Sequence, residues 1–235
     1  MKTYGQFCPL AQATQLLCVR WTLIIVRELI AGSARFSDLQ KGVPLMSPTL
    51  LSTRLKHLVK SGVVKLSGSK GNHSYHLTQA VKELQPVVEL LGAWGHHWAQ
   101  SDLNDGDLDA GLLMWDIRRT VDPAIFPEHR IVVQFEYPDA PRGNKNWWLI
   151  SDNGEVDLCL KDPGYEIDIL IRCSLKVMTQ IWICETSFKQ AAAKGDVVIM
   201  GDPGLTNKLQ DWLRSSPLSR LGSMDAVPKL NWGFN

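Results

Sequence analysis

The sequence has few cysteines and no pattern that would join them into a metal site or a disulfide framework. No C-x-x-C pair occurs among the five: Cys8, Cys18, Cys159, Cys173 and Cys184. An odd number of widely spaced cysteines indicates neither a zinc module nor a disulfide-stabilised secreted domain. We therefore expect a reduced, cytoplasmic protein that holds no metal and no cofactor.

Long apolar runs are also missing. The most apolar stretch, residues 21–30, is interrupted by Arg27 and Glu28. It falls short of the roughly 18 apolar residues that a membrane-spanning helix needs. The amino-terminus has no charged-then-apolar signal pattern either. These features predict that the protein has no membrane partner.

Motifs of catalysis are absent as well, since the chain has no G-x-S-x-G turn, no H-E-x-x-H and no phosphate loop. His129 stands alone in the sequence. The neighbours His96 and His97 would point about 100° apart on a helix, which is a poor arrangement for binding one metal ion. We assign no catalytic residue and predict that the protein is not an enzyme.

The near-neutral total charge hides two oppositely charged halves. Residues 1–100 hold 11 lysines and arginines against 4 aspartates and glutamates, whereas residues 101–235 hold 14 against 20. A basic first half indicates contact with a polyanion. The length suits two domains, and the polar stretch 101–107 is the best linker. We predict one domain over residues 1–104 and a second over residues 105–235.

Residues 47–62 read as an amphipathic helix with a basic outer face. Ser47 is a good N-cap, Pro48 suits the first helical position, and Gly62 can end the helix. Three leucines at helical spacing face a core, and no acidic residue lies in the segment. The alternative is an ordinary solvated helix face.

The neighbouring segments favour a winged helix-turn-helix. Residues 36–39 read as a short helix and residues 42–44 as the turn before the longer helix. Downstream, residues 63–66 and 74–77 read as two strands around a tip at residues 68–72, whose glycines permit positive φ. A helix followed by such a hairpin typically enters the major groove of DNA and touches the phosphate backbone beside it.

This arrangement assigns DNA contacts to individual side chains. Base reading is expected from Thr49, Thr53 and His57, beside the N-cap Ser47. Phosphate contacts are expected from the cations of the helix and the hairpin, namely Arg54, Lys56, Lys60, Lys65 and Lys70. The predicted partner is double-stranded DNA.

Several motifs of the first half, in order, resemble one family. They are Cys8-Pro9, the run from Arg20 to Leu29, Arg35-Phe36-Ser37-Asp38-Leu39, Ser47-Pro48, the run from Leu51 to Leu58, Gly62-Val63-Val64 and Tyr75-His76-Leu77-Thr78. Residues 8 to about 98 thus resemble the HxlR family of bacterial winged-helix transcriptional regulators. The resemblance implies a homodimer that is formed by the amino-terminal helix and the helix after the wing. Each recognition helix would read one half of an inverted repeat.

Residues 79–99 supply a physical reason for a dimer. Their apolar residues form one helical stripe, which is a large apolar surface for a small domain to cover: Val81, Leu84, Val88, Leu91, Trp94 and Trp98. The stripe can instead pack entirely on its own domain. Pro86 is expected to start a fresh helix segment or to kink a longer one.

The second half reads as an α+β domain. A helix at residues 110–119 precedes strands at residues 130–137, 146–150, 156–160 and 166–172, which we interpret as a meander of antiparallel strands. Helices near residues 174–183 and 188–194, a strand at 197–200 and a helix from Pro203 to Leu213 follow. The fold class is α+β, with a winged helix-turn-helix followed by a mainly antiparallel sheet and its helices.

Part of this half resembles the sterol carrier protein-like fold. The resemblance covers about residues 109–221 and includes Trp182, residues 187–191, 194–201 and 209–213. It implies a cavity for a hydrophobic small molecule, whose expected contacts are Trp115, Phe135, Trp147, Trp148 and Trp182. The alternative is that these rings only fill a core. Trp147 and Trp148 should face opposite sides of a strand, and no role follows for the tail beyond Leu221, including Trp232.

The sequence-based hypothesis is a dimeric transcriptional repressor that responds to a hydrophobic effector. One alternative is a lipid-binding or transfer protein. Another is a thiol-based redox regulator that senses through Cys8, since a cysteine at a helix start can have a lowered thiol pKa. Cys8 can equally be a bystander thiol.

Overall fold

The computed structural model describes residues 4–69, 71–99 and 103–220. Its first part has the element order of a winged helix-turn-helix. The elements are α1 (Pro9–Leu17), α2 (Thr22–Ile30), α3 (Phe36–Gly42), α4 (Pro48–Lys60), β1 (Val64–Ser67), β2 (Ser74–Leu77), α5 (Gln79–Lys82) and α6 (Gln85–Trp98). Lys70 and Trp232, both named from the sequence, lie outside the described residues.

Helix α4 begins and ends as its sequence predicts. The Ser47 side chain accepts a hydrogen bond from the Leu50 amide at 3.3 Å, and Pro48 is the first helical residue. Gly62 has a φ of +74° just beyond the helix, where a side chain would be strained. Leu51, Leu55 and Leu58 are buried against α2 and α3 residues, which fixes the outer face of α4 toward solvent.

The hairpin β1–β2 is antiparallel, with Lys65 opposite His76. Gly68 and Gly71 both have positive φ at its tip. A Cβ at Gly68 would lie 2.1 Å from the Asn72 carbonyl oxygen, so this turn requires glycine. The predicted hairpin is confirmed.

The helical pattern of residues 79–99 is divided into α5 and α6. Pro86 is in the first turn of α6, where its missing N–H costs no hydrogen bond. The prediction that Pro86 starts a fresh segment is confirmed. Val81 and Val88 are buried in the first domain, whereas the later part of the stripe is exposed.

The second part of the chain is an α+β arrangement. Its elements are α7 (Ala110–Thr120), β3 (Ile131–Glu136), β4 (Asn146–Asp152), β5 (Glu155–Cys159), β6 (Ile169–Cys173), α8 (Leu175–Trp182), α9 (Phe188–Lys194), β7 (Val197–Gly201), α10 (Pro203–Thr206), α11 (Leu209–Trp212) and α12 (Pro217–Arg220). The five strands form one sheet in the order β5-β4-β3-β6-β7. Residues of α7, α8, α9 and α11 share a buried core with one face of this sheet.

The predicted meander is wrong at one strand. β6 does not pair with β5 but lies parallel to β3, while the other three pairings in this sheet are antiparallel. Ile169, Ile171 and Cys173 of β6 are buried, whereas β5 is mostly half-buried or exposed. The more apolar strand therefore takes an inner position and β5 the edge. Alternation along a strand identifies its buried face but not its partner.

The predicted helix from Pro203 to Leu213 is also wrong in its continuity. The structure has two short helices, α10 and α11, with Asn207 and Lys208 between them, and adds α12, which the pattern did not predict. The break lets both Leu209 and Trp212 reach the core, where they are 3% and 0% exposed. The Trp212 indole donates to the Leu205 carbonyl at 3.3 Å across the break.

No single helix in the described ranges is long and apolar enough to cross a membrane. Helices α1 and α2, which meet at 83°, satisfy length and composition only when they are taken together.

A fully buried carboxylate joins the two parts of the chain. Glu28 on α2 is 0% exposed. Its Oε2 accepts from Arg119 Nη1 of α7 at 2.9 Å and from the Ser33 hydroxyl at 3.2 Å, and its Oε1 accepts from Arg27 Nη2 at 2.7 Å. Arg119 also bonds Asp116 one turn earlier on α7. Since a buried charge must be paired, this carboxylate holds α7 against α2.

Two further contacts support the same domain arrangement. Lys41 of α3 places its Nζ 4.4 Å from the ring centroid of Trp115 on α7. At the other end, a Cβ at Gly92 of α6 would lie 2.9 Å from Leu218 of α12. The second part of the chain thus contacts α2, α3 and α6.

Replacing Arg119 with Met should destabilise the protein strongly. The change leaves the Glu28 carboxylate buried with fewer partners, so we expect the free energy of unfolding to fall by about 3 kcal/mol. Urea unfolding of the full chain measures this loss. The double variant Glu28→Gln with Arg119→Met should recover at least about 1 kcal/mol relative to the sum of the two single changes.

The matched control is the surface pair of Arg130 and Asp152, whose side chains are 43% and 34% exposed. Arg130→Met should cost less than about 1 kcal/mol. Equal losses for the two arginine variants would show that the buried pair does not hold the domains together.

Candidate nucleic-acid interface and cavities

The outward residues predicted to touch DNA share one face of α4. Thr49, Thr53, Lys56 and Lys60 are exposed, and Arg54 and His57 are half-buried. None of the three helix cations Arg54, Lys56 and Lys60 is in a salt bridge with another described residue. The second domain leaves this face uncovered, so its positive charge is available to a partner.

The polar groups of this face are not all equally free. The Thr53 hydroxyl donates to the Thr49 carbonyl at 2.9 Å, so its oxygen and methyl group remain for an outside contact. Arg54 Nε is buried and has no hydrogen-bond partner in the described part of the chain. The Ser47 hydroxyl oxygen is already used as the helix cap.

The β1–β2 hairpin, which is the wing of the helix-turn-helix, lies beside the amino-terminal end of α3. Lys65 is exposed on β1, and the Tyr75 amide of β2 donates to the Ala34 carbonyl at 2.8 Å. The Arg35 guanidinium donates to the Asn72 side chain at the wing tip. Sequence reasoning missed Arg35 as a wing residue, because it lies at the N-cap of α3, 37 positions before Asn72. The hydrogen bond adds a cation to the wing side of the domain.

A second surface is apolar and lies on α6. Five side chains at helical spacing are 37–69% exposed on this helix: Val87, Leu90, Leu91, Trp94 and Trp98. Near α1, Phe7 is 99% exposed and Leu10 67%. An apolar surface such as the stripe on α6 is unusual on a monomer in water.

The cysteines differ in accessibility. Cys8 is exposed at the N-cap of α1, and Cys18 is exposed at its other end. Burial, with a smaller contribution from Asp139, raises the pKa of the Cys173 thiol to about 12. Cys173 is therefore an unreactive core thiol. A redox role for Cys8 stays a prediction, and the described residues contain no group of three or more potential metal ligands.

The aromatic residues predicted to contact a ligand are all buried. Phe135 and Trp147 belong to the core cluster of the second domain. Trp148 is next to Trp147 and so faces the other side of the sheet, yet it is only 7% exposed. The Nε1 groups of Trp148 and Trp115 have no hydrogen-bond partner among the described residues. Trp115 packs at the domain interface, under Lys41.

Trp182 lines two cavities. One, of about 360 Å³, lies within the second domain between α7, α8, α9 and the chain after α11, with walls that include Ile117, Met178, Phe188 and Leu213. The other, of about 540 Å³, lies between the two domains. Trp115, Phe135, Trp147 and Trp148 line neither of these two cavities. Their ligand-binding role stays a prediction.

The larger cavity, which we call the interdomain cavity, takes its walls from α2, α6, α7, α8 and α12. Its apolar walls include Val88, Leu112, Leu113, Trp182, Ile183 and Leu218. Arg27, Asp116 and Arg119 also line it, so it borders the buried network around Glu28. No sequence pattern indicated this site, because its walls come from segments as far apart as Arg27 and Leu218.

The charges beside this cavity influence one another. Burial raises the pKa of Asp116, although Arg119 and Arg27 partly oppose that rise. Burial lowers the pKa of Arg119, but the carboxylates of Asp116 and Glu28 outweigh it, and the pKa is raised overall. Arg119 is therefore a permanent cation at this interface.

Comparison with known proteins now gives the family. Residues 16–103 match the family described as HxlR-like helix-turn-helix. The HTH-type transcriptional regulator YvaP of Bacillus subtilis is 34% identical over 105 residues, which cover 43% of this chain and 97% of YvaP. The HTH-type transcriptional regulator Rv3095 of Mycobacterium tuberculosis is 37% identical over 90 residues, which cover 37% of this chain and 56% of that relative.

One solved structure is the reduced form of the transcriptional regulator YodB from B. subtilis. It has a TM-score of 0.36 and 28% identity, and the match covers 40% of this chain and 97% of YodB. The two sequence relatives are named as HTH-type transcriptional regulators. The second domain has no counterpart in these matches, and its resemblance to the sterol carrier protein-like fold stays a prediction.

The exposed cationic helix and the hairpin beside it lie within the residues that match the family model, and the match to YvaP covers almost all of that relative, so the chain belongs to the HxlR family of helix-turn-helix transcriptional regulators.

Proposed function

We propose that the protein is a homodimeric transcriptional repressor that binds an inverted-repeat operator and responds to a hydrophobic small molecule. One observation carries the DNA-binding part of this proposal. The outer face of α4 is exposed and cationic, carries no acidic residue, and remains uncovered by the second domain. Such a helix fits the major groove of DNA, where its cations face the negatively charged phosphate groups of the backbone.

The side chains of α4 divide into two proposed roles. Thr49, Thr53 and His57 read base edges, since short polar groups and imidazoles discriminate between bases in the major groove. Arg54, Lys56 and Lys60 neutralise phosphates, as does Lys65 on the wing. We assign the same role to Lys70, on the basis of its place in the sequence.

The apolar side chains of α1 and α6 support the dimer. Burying the exposed rings and leucines of α6 against a second copy would remove a large apolar area from water. A two-fold pair of this kind presents two copies of α4 to successive half-sites of an inverted repeat.

The cavities around Trp182 support a ligand-responsive second domain. A ligand can change DNA binding only if its affinity differs between the DNA-competent and DNA-incompetent arrangements. Contacts of α7 with α2 and α3, and of α12 with α6, are the structural links through which such a difference can reach α4 and the dimer surface. Release of DNA on ligand binding is the proposed direction.

Replacing Lys56 with Ala should weaken binding to all DNA sequences. Two phosphate contacts are lost per dimer, so the slope of log affinity against log salt should become shallower by about 2. Fluorescence anisotropy with the DNA upstream of the protein's own gene, and with a scrambled fragment, measures this change. Thr49→Ala should instead lower affinity for the upstream fragment alone, by about 1 kcal/mol per subunit.

The matched control is Lys194→Ala, at an exposed cation in the last turn of α9 in the second domain. It should leave both affinity and slope unchanged. Two results together would favour the lipid-binding alternative over the regulator. DNA binding would be weak and independent of sequence, and the salt slope would be equal for all three variants.

The double variant Leu91→Glu with Trp94→Glu should be a monomer. Carboxylates on this stripe would have to lose water in the dimer, which costs several kcal/mol. Light scattering should report half the mass of the unmodified protein, and affinity for the upstream fragment should fall at least about tenfold. Leu160→Glu, at an exposed leucine in the second domain, is the control and should stay dimeric. A monomeric unmodified protein would contradict the proposed dimer.

A further inference from the structure

The interdomain cavity has the size and wall composition of a small-molecule site. Its volume of about 540 Å³ lies within the range of about 300–1,000 Å³ that is usual for ligand pockets. The walls contributed by Leu112, Leu113, Trp182 and Leu218 are apolar and come from three elements of the second domain. Val88 of α6 supplies an apolar wall from the first domain. A ligand here would contact both domains at once.

Three carboxylates line this cavity without a paired cation: Glu89, Asp107 and Asp109. None of them is in a salt bridge with any other described residue. Each accepts a hydrogen bond from a neutral donor instead. Glu89 accepts from Gln85 at 2.8 Å, Asp107 from the Asn104 amide at 3.2 Å, and Asp109 from the Leu112 amide at 2.9 Å. Among the described residues, no cation is paired with these three carboxylates.

The two cations of the cavity wall do not neutralise these groups, because they already have partners. Arg27 bonds Glu28, and Arg119 bonds both Glu28 and Asp116. These four side chains form a closed set with two positive and two negative charges. The electrostatic field inside the cavity therefore comes mainly from the carboxylates of Glu89, Asp107 and Asp109, which lie beside apolar walls.

We propose that the interdomain cavity binds an amphipathic organic cation, such as a quaternary ammonium or a protonated amine with an aromatic or aliphatic body. The body packs on Leu112, Leu113 and Leu218, and the cationic head lies near Glu89 and Asp109. Trp182 adds a ring face that attracts the same charge. A hydrophobic anion of equal size meets the same walls but is repelled by the carboxylates.

The regulatory consequence rests on the proposed function. Arg27 and Arg119 line the cavity and also hold Glu28, so an occupant lies against the side chains that join α2 to α7. Leu218, which packs on Gly92 of α6, forms another wall. An occupant therefore contacts the side chains that set the spacing between the second domain and both α2 and α6.

The probe is tetraphenylphosphonium, compared with tetraphenylborate, an anion of nearly the same shape. Isothermal titration calorimetry of the full chain in sodium buffer should show one phosphonium ion bound per chain. The phosphonium ion should bind at least about tenfold more tightly than the borate. A tenfold difference corresponds to about 1.4 kcal/mol, as expected for one favourable contact between opposite charges.

Charge-removing variants locate the site. Glu89→Gln keeps an oxygen for Gln85, and Asp109→Asn keeps the helix cap, because Asn caps as well as Asp. The double variant should bind phosphonium at least about tenfold more weakly and borate no more weakly. If it melts at a lower temperature than the unmodified protein, Asp107→Asn on the exposed rim provides the same test with a smaller expected loss.

The matched control is Glu83→Gln. Glu83 accepts from Gln79 four residues earlier, as Glu89 accepts from Gln85, but it does not line the cavity. It should leave phosphonium affinity unchanged. Equal affinities for the two ions, or equal effects of Glu83→Gln and the double variant, would overturn the proposal.

Binding of the upstream DNA fragment without any probe separates this proposal from the proposed function. DNA binding without phosphonium binding would refute the cation site and leave the regulator intact. Phosphonium binding without DNA binding would refute the regulator and leave the cation site. Where both occur, phosphonium should lower DNA affinity, and it should fail to do so in the double variant.

Discussion

The buried carboxylate of Glu28 is the constraint on which the arrangement of the two domains depends. It is fully removed from water on a helix of the DNA-binding domain, and it is held by Arg27 and Ser33 of that domain and by Arg119 of the other. A Cβ at Gly42 would lie 1.9 Å from its Oε2, so the end of α3 must also leave it room. Separating the domains would remove Arg119 from Glu28. This costs free energy, because a buried charge with fewer partners is destabilising.

The Glu28 network positions the second domain against the DNA-binding domain and away from the outer face of α4. The second domain rests on α2, α3 and α6, and the outer face of α4 stays exposed. Within the described residues, the contacts between the two domains are side-chain packing and the Glu28 network. The interdomain cavity borders that network, and its lining combines apolar walls with carboxylates from both domains.

The DNA-binding half was largely predictable because its signals are local. A cap at Ser47, proline at the first helical position and leucines at helical spacing define α4 within a few residues. Glycines at a hairpin tip and a proline that starts α6 act over similarly short distances. In the second half, the strand segments were mostly found, but the parallel pairing of β3 with β6 depends on which strands are buried most deeply. The break at Asn207 and Lys208, which divides α10 from α11, depends on tertiary packing, because it lets Leu209 and Trp212 enter the core.

Local sequence patterns specify the helix-turn-helix and wing, the cationic face of α4, the apolar stripe of α6 and the presence of an α+β second half. Each of these follows from neighbouring residues, whose side chains point in directions fixed by helix or strand geometry. The partner of Glu28, which is 91 positions away, and the cavity between the domains could be identified only in the folded chain. Lone charges such as Glu28 and Arg119 carry no periodicity, so their partners become definite only when the chain has folded.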